Sequence, residues 1–166
     1  MKAVSCRALI LAAALAGLAL PTQAADLTPA ARASIVATVE RNQPELDRAA
    51  LALWEFAELG YQEVQSSALL QEQLVQAGFQ VTPGVVGQPT AFVASFRNGD
   101  GPVIGILAEY DALPGLSQTR NPFQESAGGH AGHGCGHNLF GAASVQAGIA
   151  VKDWMVANNI QGEVRV

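Results

Sequence analysis

The sequence predicts an α/β domain, on the strength of three observations. Helical periodicity dominates residues 28–77, segments typical of strands follow at residues 79–110, and an apolar helix at 138–156 leads into a short strand near 163–166. Helices and strands that alternate in this way pack as layers around one core. We therefore expect a central sheet that is mostly parallel or mixed, with helices packed against it.

The first half of the chain contains three predicted helices. Thr28-Pro29 supplies an N-cap and a proline at the first helical position, and the helix extends to about Asn42. A second, separate helix is predicted to begin near Pro44 and to cover residues 44–59, with Gly60 as its C-terminal stop. A third helix covers residues 63–77 and ends at Gly78.

The strand segments follow in order. Residues 79–86 and 91–97 are rich in β-forming side chains, and Asn98-Gly99-Asp100-Gly101 predicts a hairpin turn. The continuous apolar run at 102–110 is typical of a central strand covered on both faces. Residues 111–136 lack periodicity, and a loop of that length inside a compact domain is usually functional. The helix at 138–156 is apolar nearly all round, so we expect it to be buried.

The first 24 residues are typical of a secretory signal peptide. Lys2 and Arg7 precede an apolar run at residues 8–20, and small residues offer a cleavage point near Ala24. The apolar run is shorter than the ~20 residues that a membrane-spanning helix needs, so no stable membrane insertion is expected. We therefore predict a signal peptide at 1–24, one domain at 25–166, and a periplasmic or secreted location.

Loss of the signal peptide changes the charge and the cysteine content. It leaves seven basic residues against fourteen acidic ones, a net charge of −7, which argues against a nucleic-acid partner. It also removes Cys6, so that Cys135 has no cysteine with which to form an intramolecular disulfide. A metal bound to Cys135 would protect this thiol in an oxidising compartment.

The segment 128–138 is the main candidate site. It holds His130, His133, His137 and Cys135, interleaved with glycines that allow the backbone to turn sharply. Imidazole and thiolate are ligands that suit zinc. Two further interpretations remain open at this point: a purely structural loop, and a Cys135 nucleophile with His133 or His137 as its base.

Acidic residues provide further candidate ligands. Glu109 and Asp111 lie at the end of the apolar run at 102–110, two positions apart, so both can face the same cleft. A carboxylate there can bind a metal directly or orient a ligating imidazole.

Two motifs carry a family resemblance. Residues 108–118 (AEYDALPGLSQ) and 132–139 (GHGCGHNL) resemble the aminoacylase/carboxypeptidase superfamily of dinuclear zinc amidohydrolases, nearest to its p-aminobenzoyl-glutamate hydrolase branch. Residues 54–63 also match its N-terminal segment. The resemblance implies a three-layer zinc-peptidase-like catalytic domain, of which this chain is the N-terminal half without the lid domain. Many relatives have Asp in place of Glu109 and of Asn138, although this branch tolerates both differences.

The resemblance also implies roles and an activity. Cys135 and His137 match two metal ligands, and Asp111 matches the acidic residue that orients a ligand. The full-length form is expected to bind two Zn²⁺ ions, with Mn²⁺ as the alternative. It is expected to cleave an amide bond of a small-molecule N-acyl amino acid or dipeptide-like substrate, with a homodimer as one option. His133 matches a motif histidine that is not a ligand, and His130 lies outside the motif.

The chain itself is expected to do less than the full-length form. The resemblance places a glutamate base and further ligands beyond residue 166, so we expect weak zinc binding and no hydrolysis from an incomplete fragment. The alternative is a non-catalytic truncated product, or a metal-binding or interaction module that exposes an unpaired strand at 164–166.

Overall fold

The structure, a computed structural model, describes residues 27–166. The predicted signal peptide, its cleavage point near Ala24 and Cys6 lie outside the described residues. Within residues 27–166, no helix combines the length and the apolar character that crossing a membrane requires.

The first helix is longer than the sequence predicts. Helix α1 spans Pro29–Phe56, begins where Thr28 Oγ1 accepts a hydrogen bond from the Ala31 N–H (3.1 Å), and continues through Pro44. The predicted break before Pro44 is therefore wrong. A proline inside a helix costs about 3 kcal/mol, and the burial of Ala49, Ala50 and Leu53 on the far side of Pro44 offsets that cost. Helix α2, Val64–Gln76, agrees with the predicted third helix.

The main sheet is mixed. Its strands are β1 (Gln80–Pro83), β2 (Phe92–Asn98), β3 (Val103–Gly105) and β6 (Gly162–Arg165), in the spatial order β1-β2-β6-β3. The β1–β2 and β2–β6 pairs are antiparallel, whereas β3 and β6 are parallel. A separate two-stranded ladder joins β4 (Leu113–Pro114) and β5 (Ala131–Gly132). The expected α/β class with a mixed central sheet is confirmed.

The predicted hairpin at residues 98–101 is wrong. The chain does turn there, with Gly99 at a φ of 79°, but β2 and β3 do not pair with each other. Strand β6 lies between them, and the Glu163 N–H donates to the Pro102 carbonyl (2.9 Å). A local turn signal cannot reveal a strand that arrives some sixty residues later.

Two further strand predictions are corrected by this order. Strand β6 is internal and Val164 is fully buried, so an exposed, unpaired strand at 164–166 is wrong. The run at 102–110 is not a covered central strand within the described sheet. Only Val103–Gly105 is a strand, it lies at an edge, and Val103 and Ile104 are 52% and 54% exposed.

One apolar cluster joins the helices to the sheet. Helix α3 (His137–Ala157) contributes Ala142 and Val145, which pack with side chains of the other elements: Leu53, Leu70, Leu74, Phe79, Ala94 and Val164. The expectation that α3 is buried all round is only partly correct, because Leu139 and Phe140 are 58% and 40% exposed. The buried face of α3 fixes its N-terminus against the loop that precedes it.

Candidate metal centre

The acidic half of the site is attached to the end of α1. The Ala112 N–H donates to the Glu58 carbonyl (2.7 Å), and Ala112 forms an isolated parallel bridge with Leu59. Strand β4 then pairs with β5, with Leu113 opposite Gly132. This pairing brings the segment that carries Glu109 and Asp111 beside residues 128–138, which we call the His/Cys loop.

The histidine half of the site is placed by the start of α3. His137 is the first residue of this helix, and Gly136 caps it with a φ of 79°, a left-handed conformation that glycine adopts at little cost. Gly141 allows a close approach, because a Cβ there would lie 3.0 Å from both the Glu109 carbonyl oxygen and the Tyr110 Cβ. The N-terminal end of α3 also favours nearby negative charge.

Three side chains converge at this point. His137 Nδ1 lies 2.8 Å from Asp111 Oδ1, and His137 Nε2 lies 3.1 Å from Glu109 Oε2. One potential ligand atom from each of the three residues falls within 4.8 Å of the others. His137 is the most enclosed, with its side chain 21% exposed, against 35% for Asp111 and 48% for Glu109.

The hydrogen-bonding pattern suits a cation. If Nδ1 of a neutral His137 donates to Asp111, Nε2 presents a lone pair to the Glu109 carboxylate, and two acceptors face each other. A proton on Nε2 or a cation between the two groups removes this conflict. Two ligand atoms each about 2.1 Å from one ion lie about 3.0–3.4 Å apart at coordination angles between 90° and 109°. The observed 3.1 Å separation falls within that range.

The Asp111 contact matches a familiar arrangement around metals. A carboxylate that accepts a hydrogen bond from one ring nitrogen of histidine fixes the tautomer and leaves the other nitrogen for the ion. Asp111 has this relation to His137. The sequence offers Glu109 as a candidate without a definite role, and the structure gives it a position facing the free ring nitrogen.

Cys135 is not part of this group. It is exposed and lines a cleft of about 770 Å³ together with Trp54, His133 and Asn138. Its predicted role as a metal ligand stays a prediction. Among the described residues, neither His133 nor His137 forms a hydrogen bond to Cys135. Both ring nitrogens of His137 contact Asp111 and Glu109. In His133, Nε2 contacts the Leu53 carbonyl oxygen, and Nδ1 is buried without a hydrogen-bond partner. The geometry therefore does not favour a Cys135 nucleophile activated by either of them.

The other two histidines have different surroundings. His133 is only 6% exposed, stacks on Trp54 with ring centroids 6.4 Å apart, and its Nε2 lies 2.9 Å from the Leu53 carbonyl oxygen. Burial lowers the pKa of His133 and outweighs the opposing effect of that hydrogen bond, so the ring is neutral at neutral pH. His130 is exposed in the loop.

Comparison with characterised proteins identifies relatives. The chain is 46% identical over 115 residues to one of the subunits of p-aminobenzoyl-glutamate hydrolase from Escherichia coli K12, covering 68% of this chain and 24% of that protein. It is 35% identical over 114 residues to thermostable carboxypeptidase 1 of Saccharolobus solfataricus, covering 68% of this chain and 28% of that protein. The resemblance to the aminoacylase/carboxypeptidase superfamily is confirmed. No protein-family model matches the sequence.

Solved structures support the fold. A dinuclear metal-binding peptidase of the M20 family from Bacillus subtilis superposes with a TM-score of 0.62 at 29% identity, covering 78% of this chain and 34% of that one. A protein from methicillin-resistant Staphylococcus aureus superposes with a TM-score of 0.69 at 20% identity, which supports the fold alone. The chain spans 24% to 28% of the length of the two sequence relatives named above.

Proposed function

We propose that this chain is part of a metal-dependent amidohydrolase that cleaves an amide bond of an N-acyl amino acid or dipeptide-like substrate of the p-aminobenzoyl-glutamate type. The observation that carries the proposal is the convergence of Glu109, Asp111 and His137. It occurs in a chain whose relatives are named as a hydrolase of p-aminobenzoyl-glutamate and a carboxypeptidase.

Different residues of the chain are proposed to bind the ion and to orient its ligands. His137 Nε2 and the Glu109 carboxylate face each other as the two metal ligands, and Asp111 orients the imidazole ring by accepting a hydrogen bond from Nδ1. Cys135, two residues before His137, is proposed as a further ligand from the motif it shares with the family. We propose Zn²⁺, two per full-length site, with Mn²⁺ as the alternative, because imidazole, thiolate and carboxylate all suit zinc.

The chemistry divides between the ion and the protein. When bound, a divalent ion supplies Lewis acidity, which polarises a carbonyl and acidifies water. Asp111 keeps the Nδ1 proton of His137 in place, so that Nε2 stays available at a fixed position. The family resemblance assigns proton transfer to a glutamate beyond residue 166. For this reason we propose that residues 27–166 hold an ion weakly and do not complete the reaction alone.

Location and partners follow from the same proposal. From the predicted signal peptide we propose a location in the periplasm or outside the cell, and the acidic balance of the chain favours a small-molecule substrate over nucleic acid. A homodimer of the full-length form remains part of the proposal.

The proposal is tested by comparing this chain with a form extended beyond residue 166 to the length of its relatives. Zinc content and hydrolysis of p-aminobenzoyl-glutamate and of N-acyl amino acids are measured on both. We expect hydrolysis only from the extended form, with about two metal ions per chain. Asp111→Asn in the extended form should keep the fold and lose most of the activity. A metal-free extended form, or an active one that keeps full activity after Cys135→Ser and Asp111→Asn, would contradict the proposal.

A further inference from the structure

Two buried polar side chains attach the His/Cys loop to α1. His133 Nε2 lies 2.9 Å from the Leu53 carbonyl oxygen, and Asn138 Nδ2 donates to the Ala50 carbonyl (3.1 Å). Both side chains belong to residues only 6% exposed. Ala50 and Leu53 lie one turn apart on the buried side of α1. The segment 133–138, which includes His137, is therefore held at both ends by one helix.

The direction of these hydrogen bonds follows from the chemistry of the acceptors. A carbonyl oxygen can only accept, so His133 carries its proton on Nε2, and its Nδ1 is an acceptor. That Nδ1 atom and the Asn138 Oδ1 are both buried without a protein partner. An unmade hydrogen bond of this kind costs about 1–3 kcal/mol. Each side chain therefore donates one hydrogen bond to α1, while its second polar atom, His133 Nδ1 or Asn138 Oδ1, has no protein partner.

The same end of α1 also holds the acidic half of the site. The carbonyl of Glu58, two residues past the helix end, accepts the Ala112 N–H (2.7 Å), and Asp111 directly precedes Ala112. The segments that carry Asp111 and His137 are thus both attached to one short stretch of chain, residues 50–58, in addition to their direct pairing through β4 and β5. Lengthening the 2.8 Å contact between the two side chains by an ångström would take it beyond hydrogen-bonding distance.

We propose that His133 and Asn138 are positioning residues that hold His137 against Asp111 through their hydrogen bonds to α1, and that they thereby set the metal affinity of the centre. In His133 the ring atom that makes the positioning hydrogen bond is Nε2, not Nδ1. The link to metal affinity rests on the proposed function. The link to the His137–Asp111 contact does not, because that contact involves only groups of this chain.

Two conservative variants separate the ring nitrogens of His133. In His133→Gln the side-chain amide nitrogen lies near the Nε2 position, whereas in His133→Asn it lies near the Nδ1 position. His130→Asn, in the exposed part of the loop, is the matched control and also simplifies assignment of the histidine signals. Each variant of the chain is labelled with ¹⁵N-histidine, and the ring nitrogens are observed by NMR without metal. Zn²⁺ affinity is then measured by calorimetric titration.

The proposal predicts a clear order. His133→Gln and His130→Asn keep the Nδ1–H tautomer of His137 and a Zn²⁺ Kd close to that of the parent chain. His133→Asn loses the tautomer preference and raises the Kd about tenfold or more, the loss typical of groups that orient metal ligands. Should His133→Asn fail to fold, Asn138→Leu removes the other attachment at similar size and should give the same changes.

The contrary results are equally clear. If His133→Asn behaves like the parent chain and His133→Gln does not, the important atom is Nδ1 and the proposal is wrong. It is also wrong if a folded His133→Asn or Asn138→Leu leaves the His137 tautomer unchanged. If the parent chain binds no zinc, the proposed function fails, whereas the NMR result still decides whether these two residues position His137.

Discussion

Glu58 stabilises the start of α2 from outside the helix. Its Oε1 accepts the Gln65 N–H (2.9 Å), and its Oε2 accepts both the N–H and the hydroxyl of Ser66 (2.8 Å each). These backbone groups belong to the first turn of a helix that begins at Val64 and has no side-chain cap from its own N-cap residue. The carboxylate thus satisfies two N–H groups that the helix cannot satisfy internally.

The expected effect of Glu58→Gln follows from these contacts. The amide keeps one oxygen acceptor, but its NH₂ group must face an N–H donor, and the charge that favours a helix N-terminus is lost. Loss of a cap costs about 0.5–2 kcal/mol, and we expect about 1–2 kcal/mol of unfolding free energy here because three hydrogen bonds are affected. Glu58→Ala, which removes the acceptors altogether, should cost at least as much.

The pH dependence has a definite sign. Burial acts to raise the pKa of Glu58, but the hydrogen bonds from Gln65 and Ser66 outweigh it and lower that pKa below its ordinary value. A lowered pKa in the folded state means that the stabilisation is fully present above the unfolded pKa of about 4.3 and is lost as the pH falls through the folded pKa.

Urea unfolding at pH 7 and at several values below pH 4.5 tests this reasoning. The free-energy gap between the parent chain and Glu58→Gln should be largest at pH 7 and should shrink as the pH falls through the pKa of the folded carboxyl. Glu40→Gln, an exposed site on α1, is the control and should change stability by less than about 0.5 kcal/mol. A gap that stays constant with pH, or one equal to that of the control, would refute the capping role of Glu58.

Two further predictions concern packing. Leu53→Ala removes a fully buried core side chain and should lower the free energy of unfolding in urea by about 2–5 kcal/mol. Leu51→Ala, at a site 44% exposed on the same helix, should lower it much less. Equal losses of stability in the two variants would contradict the described core. Gly101→Ala would place a Cβ 2.7 Å from the backbone oxygen of Gln161 and should lower the free energy of unfolding by about 1–3 kcal/mol. Gly105→Ala, whose Cβ would have no atom within 4 Å, should leave stability nearly unchanged. A Gly101→Ala variant as stable as the parent chain would argue against the close approach of residues 101 and 161.

Signals that depend on neighbouring residues predicted parts of the structure correctly. The Thr28-Pro29 start, the α2 range and the turn near Gly99 are all observed, because each depends on residues close together in the chain. The sequence failed where distant segments decide the outcome. The insertion of β6 between β2 and β3 could not be predicted, and neither could the continuation of α1 through Pro44, which depends on core packing.

In the candidate site, too, the sequence indicated local motifs but not the contacts between distant segments. The motif spacing and the family resemblance singled out Asp111 and His137, and the structure brings their side chains to 2.8 Å. The contact of Glu109 with the other ring nitrogen needs the folded geometry. The hydrogen bond from His133 to Leu53 joins residues eighty positions apart, so no sequence pattern indicates it. Cys135 remains a prediction from the motif alone.

The most direct test of the proposed metal centre is a Zn²⁺ titration of this chain, its His137→Gln variant and its His130→Gln variant by calorimetry at neutral pH. We predict that the parent chain and His130→Gln bind zinc with similar affinity, and that His137→Gln binds it at least about tenfold more weakly because the facing ring nitrogen is lost. Equal zinc affinity in all three proteins, or no binding by the parent chain, would contradict the assignment of a metal centre to Glu109, Asp111 and His137.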